Sequence, residues 1–178
     1  MNTYIALLRG IGGKNTLPMK GLVELMEGMR LRNVRTYIQS GNAIFQSEGM
    51  GPSELSEGIR AAIENRYGFA PHVIILTPDE LREAVASNPY REAESEPKTL
   101  HLTFLASTPK NPDLVGLEQI RKDNEQFALK GKVFYFHAPE GVGRSRLFAR
   151  IEKSLGVVGT DRNWRSVCKI KEIADQEG

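Results

Sequence analysis

Apolar positions along the chain alternate between strand-like runs and helical spacing. Tyr4–Leu8 is a short continuous apolar run, as a buried strand requires. Leu22, Leu25, Met26 and Met29 follow at helical spacing, with Pro18 placed to open the helix. Val34–Ile38 and Ala43–Phe45 are β-rich runs around the turn residues Ser40-Gly41-Asn42. Leu55, Ile59, Ala62 and Ile63 mark a second helix that Gly68 ends, and Val73–Leu76 is the next apolar run. The predicted order is β-α-β-β-α-β, the split arrangement of a ferredoxin-like domain.

The second half repeats the pattern without repeating the sequence. Thr77-Pro78-Asp79-Glu80 is a capping box, and its helix ends before Asn88-Pro89. Arg91–Lys98 is polar and reads as a surface loop. Leu100–Leu105 predicts a strand, Pro112–Lys122 a helix, and Phe127–Leu129 with Val133–Phe136 a hairpin around Lys130-Gly131. Leu147, Phe148, Ile151 and Leu155 define a helix stopped by Gly156, and a last helix is expected from Asn163 to Ala174. The expected fold is α+β: two ferredoxin-like (βαββαβ) units in tandem, residues 1–77 and 78–178. The second unit diverges at its C-terminal end and adds a terminal helix.

Composition narrows the function classes. A net charge of +2 is too small for polyanion binding by bulk charge, so any nucleic-acid role needs a local basic patch. The single cysteine, Cys168, excludes an intrachain disulfide and a cysteine metal cluster. The opening residues lack the basic start of a signal peptide, and no apolar run reaches the ~20 residues of a membrane span. A cytoplasmic protein with no membrane partner is the expectation.

Polar chemistry concentrates in four places. Arg9-Gly10-Ile11-Gly12-Gly13-Lys14-Asn15 joins a strand to a helix, where backbone N–H groups, the helix start and two cations favour an anion. It is too short for a P-loop, and Asn15 replaces the magnesium-binding Ser/Thr. Gln39, Ser40 and Asn42 occupy the predicted hairpin turn. First and third strands are antiparallel neighbours in such a sheet, so Arg9, Lys14, Gln39 and Asn42 are expected along one edge. Gly141-Val142-Gly143-Arg144-Ser145-Arg146 is a second glycine-rich loop, readable as an anion site or as a turn with an N-cap. Thr160-Asp161-Arg162-Asn163-Trp164-Arg165 carries the only tryptophan, readable as a base- or phosphate-gripping pair or as a core anchor. His72, His101 and His137 have no metal-ligand spacing, Cys168 reads as a small core residue, and no general base has a partner in sequence.

The four motifs together resemble the bacterial domain-of-unknown-function family sixteen-ninety-seven. Its members carry R-G-I-N-V-G-G-K-N-x-x-P-M, N-V-R-T-Y-I-Q-S-G-N, G-x-G-R-S-K-L and T-x-R-N-W-N-T-V. The counterparts are Leu7–Met19, Asn33–Phe45, Gly141–Leu147 and Thr160–Val167. The resemblance implies the tandem ferredoxin-like fold and no activity. Asn-Val is missing between Ile11 and Gly12, Arg165 and Ser166 replace Asn and Thr, and Arg146 replaces Lys. The function expected is a binding module for an anionic ligand, a nucleotide-like small molecule or single-stranded nucleic acid, with no cofactor or metal. Its candidate ligand residues are Arg9, Lys14, Asn15, Gln39, Ser40, Asn42, Arg144, Arg162, Asn163 and Trp164. An enzyme for a small phosphorylated or carboxylated substrate, with Arg9, Lys14 and Arg162 as clamps, and a structural or interaction protein are the alternatives.

Overall fold

The computed structural model describes residues 1–39 and 41–177. Among the described residues, eight strands form two four-stranded antiparallel sheets. The first half runs β1 (Asn2–Arg9), α1 (Met19–Gly28), β2 (Arg32–Tyr37), β3 (Asn42–Ser47), α2 (Pro52–Tyr67) and β4 (His72–Leu76). Its strand order is β2-β3-β1-β4. After α3 (Pro78–Ala86) and a 3-10 turn at Arg91–Ser95 come β5 (Leu100–Leu105), α4 (Leu114–Ile120), β6 (Gln126–Lys130) and β7 (Val133–His137). A 3-10 turn at Phe148–Arg150 leads into α5 (Ile151–Leu155), then β8 (Gly159–Asn163) and α6 (Trp164–Gln176). The second sheet is ordered β6-β7-β5-β8. The chain is thus α+β, and no described helix is long and apolar enough to cross a membrane.

β1 is central because every residue from Tyr4 to Leu8 is apolar and needs cover on both faces. Tyr4, Ala6 and Leu8 pack with Ala43, Phe45 and Val73 against Leu22 and Met26 of α1 and Leu55, Ile59 and Ile63 of α2. Ile5 and Leu7, with Ile44 opposite Ile5, occupy the other face and are equally buried. Burying each such side chain contributes roughly 1.5–3 kcal/mol, so the strand tolerates no polar substitution along this stretch. In the second sheet Leu105, Phe134 and Phe136 pack against Leu117 of α4 and Leu147, Ile151 and Leu155 around α5. On its other face Tyr135 is buried, and its hydroxyl donates to the Ala84 carbonyl at 2.6 Å.

Two sequence expectations need correction. The divergence expected at the end of the second unit is preceded by a complete fourth strand, β8. Gly159-Thr160-Asp161-Arg162-Asn163 has no apolar alternation, so its own propensity is silent; ladder pairing with β5 makes it a strand. Cys168 is exposed, not in the core. The buried stripe of α6 runs through Trp164, Val167, Ile170 and Ala174, and Cys168 stands one position off it. The capping box is present as read: Glu80 N donates to Thr77 Oγ1 at 3.2 Å and Thr77 N to Glu80 Oε2 at 2.8 Å.

The chain divides into two compact units. One comprises Met1–Glu83 with the chain from Lys169 onward; the other is Ala84–Cys168. Polar bonds tie the C-terminal stretch to the first unit. Arg35 Nε pairs with the Glu177 carboxylate at 2.7 Å, and Gln46 Nε2 donates to the Glu177 carbonyl at 3.2 Å. Asn33 Nδ2 donates to Gln46 Oε1 at 2.7 Å, and Arg82 Nε to Asp175 at 2.8 Å.

Two glycines with the same φ separate strain from crowding. Gly41 and Gly49 both have φ +84°. A Cβ at Gly41 would lie 2.8 Å from Leu8 Cβ, whereas nothing lies within 4 Å at Gly49. Gly49→Ala is expected to cost about 1 kcal/mol of strain. Gly41→Ala is expected to cost about 2–4 kcal/mol, because overpacking against Leu8 adds to the strain. Urea unfolding of the two variants measures the difference; equal costs would mean that the turn does not press on β1.

Candidate functional site

The antiparallel ladders bring the first two polar motifs to one end of the first sheet. Leu7 pairs with Asn42 and Arg9 with His72. Leu8 N donates to the Gly41 carbonyl at 2.8 Å, so the β2–β3 turn is bonded to the end of β1. Register partners share a face. Tyr37, Asn42, Arg9 and His72 therefore project from the same side of the sheet. Neither His72 nor Tyr37 is among the candidate ligand residues read from sequence; the register of Arg9 finds the first and that of Asn42 the second.

The loop after β1 closes on itself. Gly12 N donates to Asn15 O at 2.9 Å and Asn15 N to Gly12 O at 3.0 Å, leaving Gly13-Lys14 as a two-residue tip. Gly12 and Gly13 have φ of +120° and +58°, which suits glycine. Asn15 Nδ2 donates to the Gly10 carbonyl at 3.1 Å, so this side chain braces the turn. Lys14 is exposed at the tip. α1 begins four residues beyond Asn15, after Pro18, with no side-chain cap and no acidic residue in its first turn. Residues 1–47 hold six Lys and Arg against two Glu, a local positive excess that comes from scarce acidic residues.

The turn residues divide into two classes. Gln39 is exposed. Asn42 is fully buried, and its Nδ2 donates to the Tyr37 carbonyl at 2.9 Å, holding the hairpin closed. Ile38, beside Gln39, is 49% exposed with φ +51°. A β-branched residue there is strained, and such strain concentrates at sites of contact. Ser40 lies outside the described residues.

The two later motifs hold shape. In Gly141–Arg146, Ser145 Oγ donates to the buried Glu125 carboxylate at 2.6 Å and accepts from Phe148 N at 3.1 Å. Arg144, next to it, is exposed. In Thr160–Arg165, Arg162 is buried and donates to Thr160 Oγ1 at 2.9 Å and to the Asp161 carbonyl at 2.8 Å. Burial pushes its guanidinium down to about 10, against the opposing charge of Asp161, and it stays ionised at neutral pH. Asn163 Oδ1 accepts from Ser166 N at 3.0 Å and caps α6, while Trp164 is buried as a core anchor. Arg162 and Trp164 therefore present little surface to a ligand.

β8 also builds a polar cluster that sequence spacing did not reveal. His101 Nδ1 lies 2.6 Å from Asp161 Oδ2, and Nε2 lies 3.1 Å from the Lys98 carbonyl. Both neighbours are acceptors, so the ring satisfies them only as an imidazolium donating twice. Burial opposes the charged ring, but the hydrogen bond and charge of Asp161, with the Lys98 carbonyl, outweigh it and raise the pKa. With both nitrogens engaged, His101 has no lone pair for a general base. Among the described residues no group of His, Cys, Asp and Glu could hold a metal.

Residues 1–135 match the model of a family described as "Protein of unknown function (DUF1697)". No curated protein sequence matches the chain. Among solved structures, the conserved bacterial protein SP0830 from Streptococcus pneumoniae is similar over 98% of this chain and 99% of its own. Its TM-score is 0.75 at 21% identity, which establishes a shared fold.

The raised pKa of His101 has a defined sign. The charged ring stabilises the fold fully below its ordinary value near 6.5, and that contribution is lost as pH rises through the raised folded value. Urea midpoints are expected to fall above about pH 6.5 in the wild type. Asp161→Asn removes the carboxylate, lowers stability at acid pH and flattens the slope. An unchanged slope in that variant would show that His101 is not the titrating group.

Proposed function

The chain belongs to this family of unknown function, and we propose that it is a binding module for a small anionic ligand, held at the rim of the first of two tandem ferredoxin-like units. The bond between Leu8 N and the Gly41 carbonyl carries the reading, because it joins the Arg9–Asn15 loop to the Gln39–Asn42 turn. Lys14 stands exposed on a closed turn and forms no ion pair among the described residues. Arg9, Lys14 and Gln39 supply donors, Asn15 and Asn42 hold the loops that carry them, and the uncapped start of α1 adds a favourable dipole. Preorganised donors of this kind suit a phosphate or carboxylate.

The β2-β3-β1-β4 order with β-α-β-β-α-β connectivity supports the ferredoxin-like assignment, and the second sheet follows the same order. Ferredoxin-like sheets can bind RNA by stacking bases on the face opposite the helices. Here Ile5, Leu7 and Ile44 fill that face of the first sheet and are buried, which argues against base stacking there. The enzyme alternative lacks a base: the His101–Asp161 pair is internally satisfied.

Calorimetric titration with inorganic phosphate, pyrophosphate and a nucleoside monophosphate tests the reading. Lys14→Ala is expected to weaken binding by about 1–2 kcal/mol, roughly 5- to 30-fold. Lys110→Ala, an exposed cation outside the rim, is expected to leave binding unchanged. Heat release identical in the wild type and Lys14→Ala would place the ligand elsewhere, and none with any of the three anions would remove the phosphate reading.

A further inference from the structure

A row of cations without ion-pair partners among the described residues lies in the second unit, along the stretch that follows Gly143. The 3-10 turn at Phe148–Arg150 runs into α5, and Leu147, Ile151 and Leu155 form its buried stripe, spaced by four. That stripe fixes the opposite positions outward. Arg146, Arg150 and Lys153 follow one another at i, i+4 and i+7, and all three are exposed, as is Arg144 just before them. None of the four forms an ion pair or side-chain hydrogen bond among the described residues. Glu152, the acidic residue within this stretch, uses its Oε1 to accept from Gly159 N at 3.0 Å.

Arg144 and Arg146 precede the 3-10 turn, Arg150 ends it and Lys153 lies in α5, so four like charges fall within residues 144–153 and repel one another. The helix dipole favours Lys153 near the C-terminal end but gives Arg144 and Arg146 nothing. Glu152 is the one carboxylate within residues 144–153, and a polyanion relieves the repulsion that remains. We propose that Arg144, Arg146, Arg150 and Lys153 form a contact surface for the phosphate backbone of single-stranded nucleic acid. A membrane surface fits less well, because an interfacial helix needs exposed apolar side chains and here Leu147, Ile151 and Leu155 are buried. An acidic protein partner would bring an apolar interface core that the row does not match. The surface reads backbone charge without base sequence. None of its residues belongs to the first unit.

Fluorescence anisotropy with labelled oligo-dT and oligo-U, from low to moderate salt, tests it. Four phosphate contacts on a single strand give a log–log salt slope of about −3, and so about a 50-fold loss of affinity between 50 and 200 mM salt. The triple variant Arg146→Gln, Arg150→Gln, Lys153→Gln is expected to stay folded by circular dichroism and to bring the slope to about −0.7. Arg146→Lys with Arg150→Lys keeps the charge and is expected to keep the slope. Lys110→Ala, which removes an exposed cation outside the row, is expected to bind oligonucleotide as the wild type does. No binding by the folded wild type at low salt overturns the proposal, as does a triple variant with the wild-type slope. Binding to vesicles of anionic phospholipid without binding to either oligonucleotide also overturns it.

Discussion

The pairing of β1 with β3 is the constraint on which the first unit depends. Tyr4–Leu8 is apolar at every position, so β1 must be covered on both faces and flanked on both edges. Its register with β3, Leu7 against Asn42, then determines which loops meet. A shift of one residue would turn Ile5 and Leu7 to the helix side and break the match with Ile44. The same register bonds the glycine turn to Leu8 and sets Arg9 beside His72. Burial in the sheet centre thus positions polar groups at its rim, and the rim chemistry follows from the core.

Most polar residues of the four motifs are engaged in holding the backbone. Asn15 and Asn42 brace turns, Ser145 is pinned to Glu125, Asn163 caps a helix, and Arg162 bonds along its own strand. Asn33 and Arg35 of the second motif engage Gln46 and Glu177, which fastens the chain end to the first sheet. The loop that lacks Asn-Val closes as a compact turn between Gly12 and Asn15, so Lys14 is held on a short tip. Arg9, Lys14 and Gln39 remain exposed in the first unit, as do Arg144 and Arg146 in the second, and these motif residues are placed to meet something outside the fold.

Legibility from sequence followed the strength of apolar patterning. α1, α2 and β3–β7 were readable because their buried positions carry Leu, Ile, Val and Phe at period 3.6 or 2. β8 was not, since Thr160, Asp161, Arg162 and Asn163 give no hydrophobic signal and become a strand through pairing with β5. Cys168 was misplaced by a single helical position, which on a helix is a rotation of about 100°. The convergence of Arg9 with the β2–β3 turn was legible, because antiparallel topology dictates it. Burial of Asn42, Arg162 and Trp164 was not, because a polar or aromatic residue in a motif reads the same whether it faces a ligand or a carbonyl.

If the two loops of the first unit act as one site, they respond to a ligand together. Backbone amide chemical shifts during a titration with inorganic phosphate measure that. Residues of the Gly10–Asn15 loop together with Gln39 and Gly41 are expected to shift along one saturation curve, with Thr160–Trp164 unmoved. Shifts confined to one loop, two different curves, or a response centred on Thr160–Trp164 would contradict it.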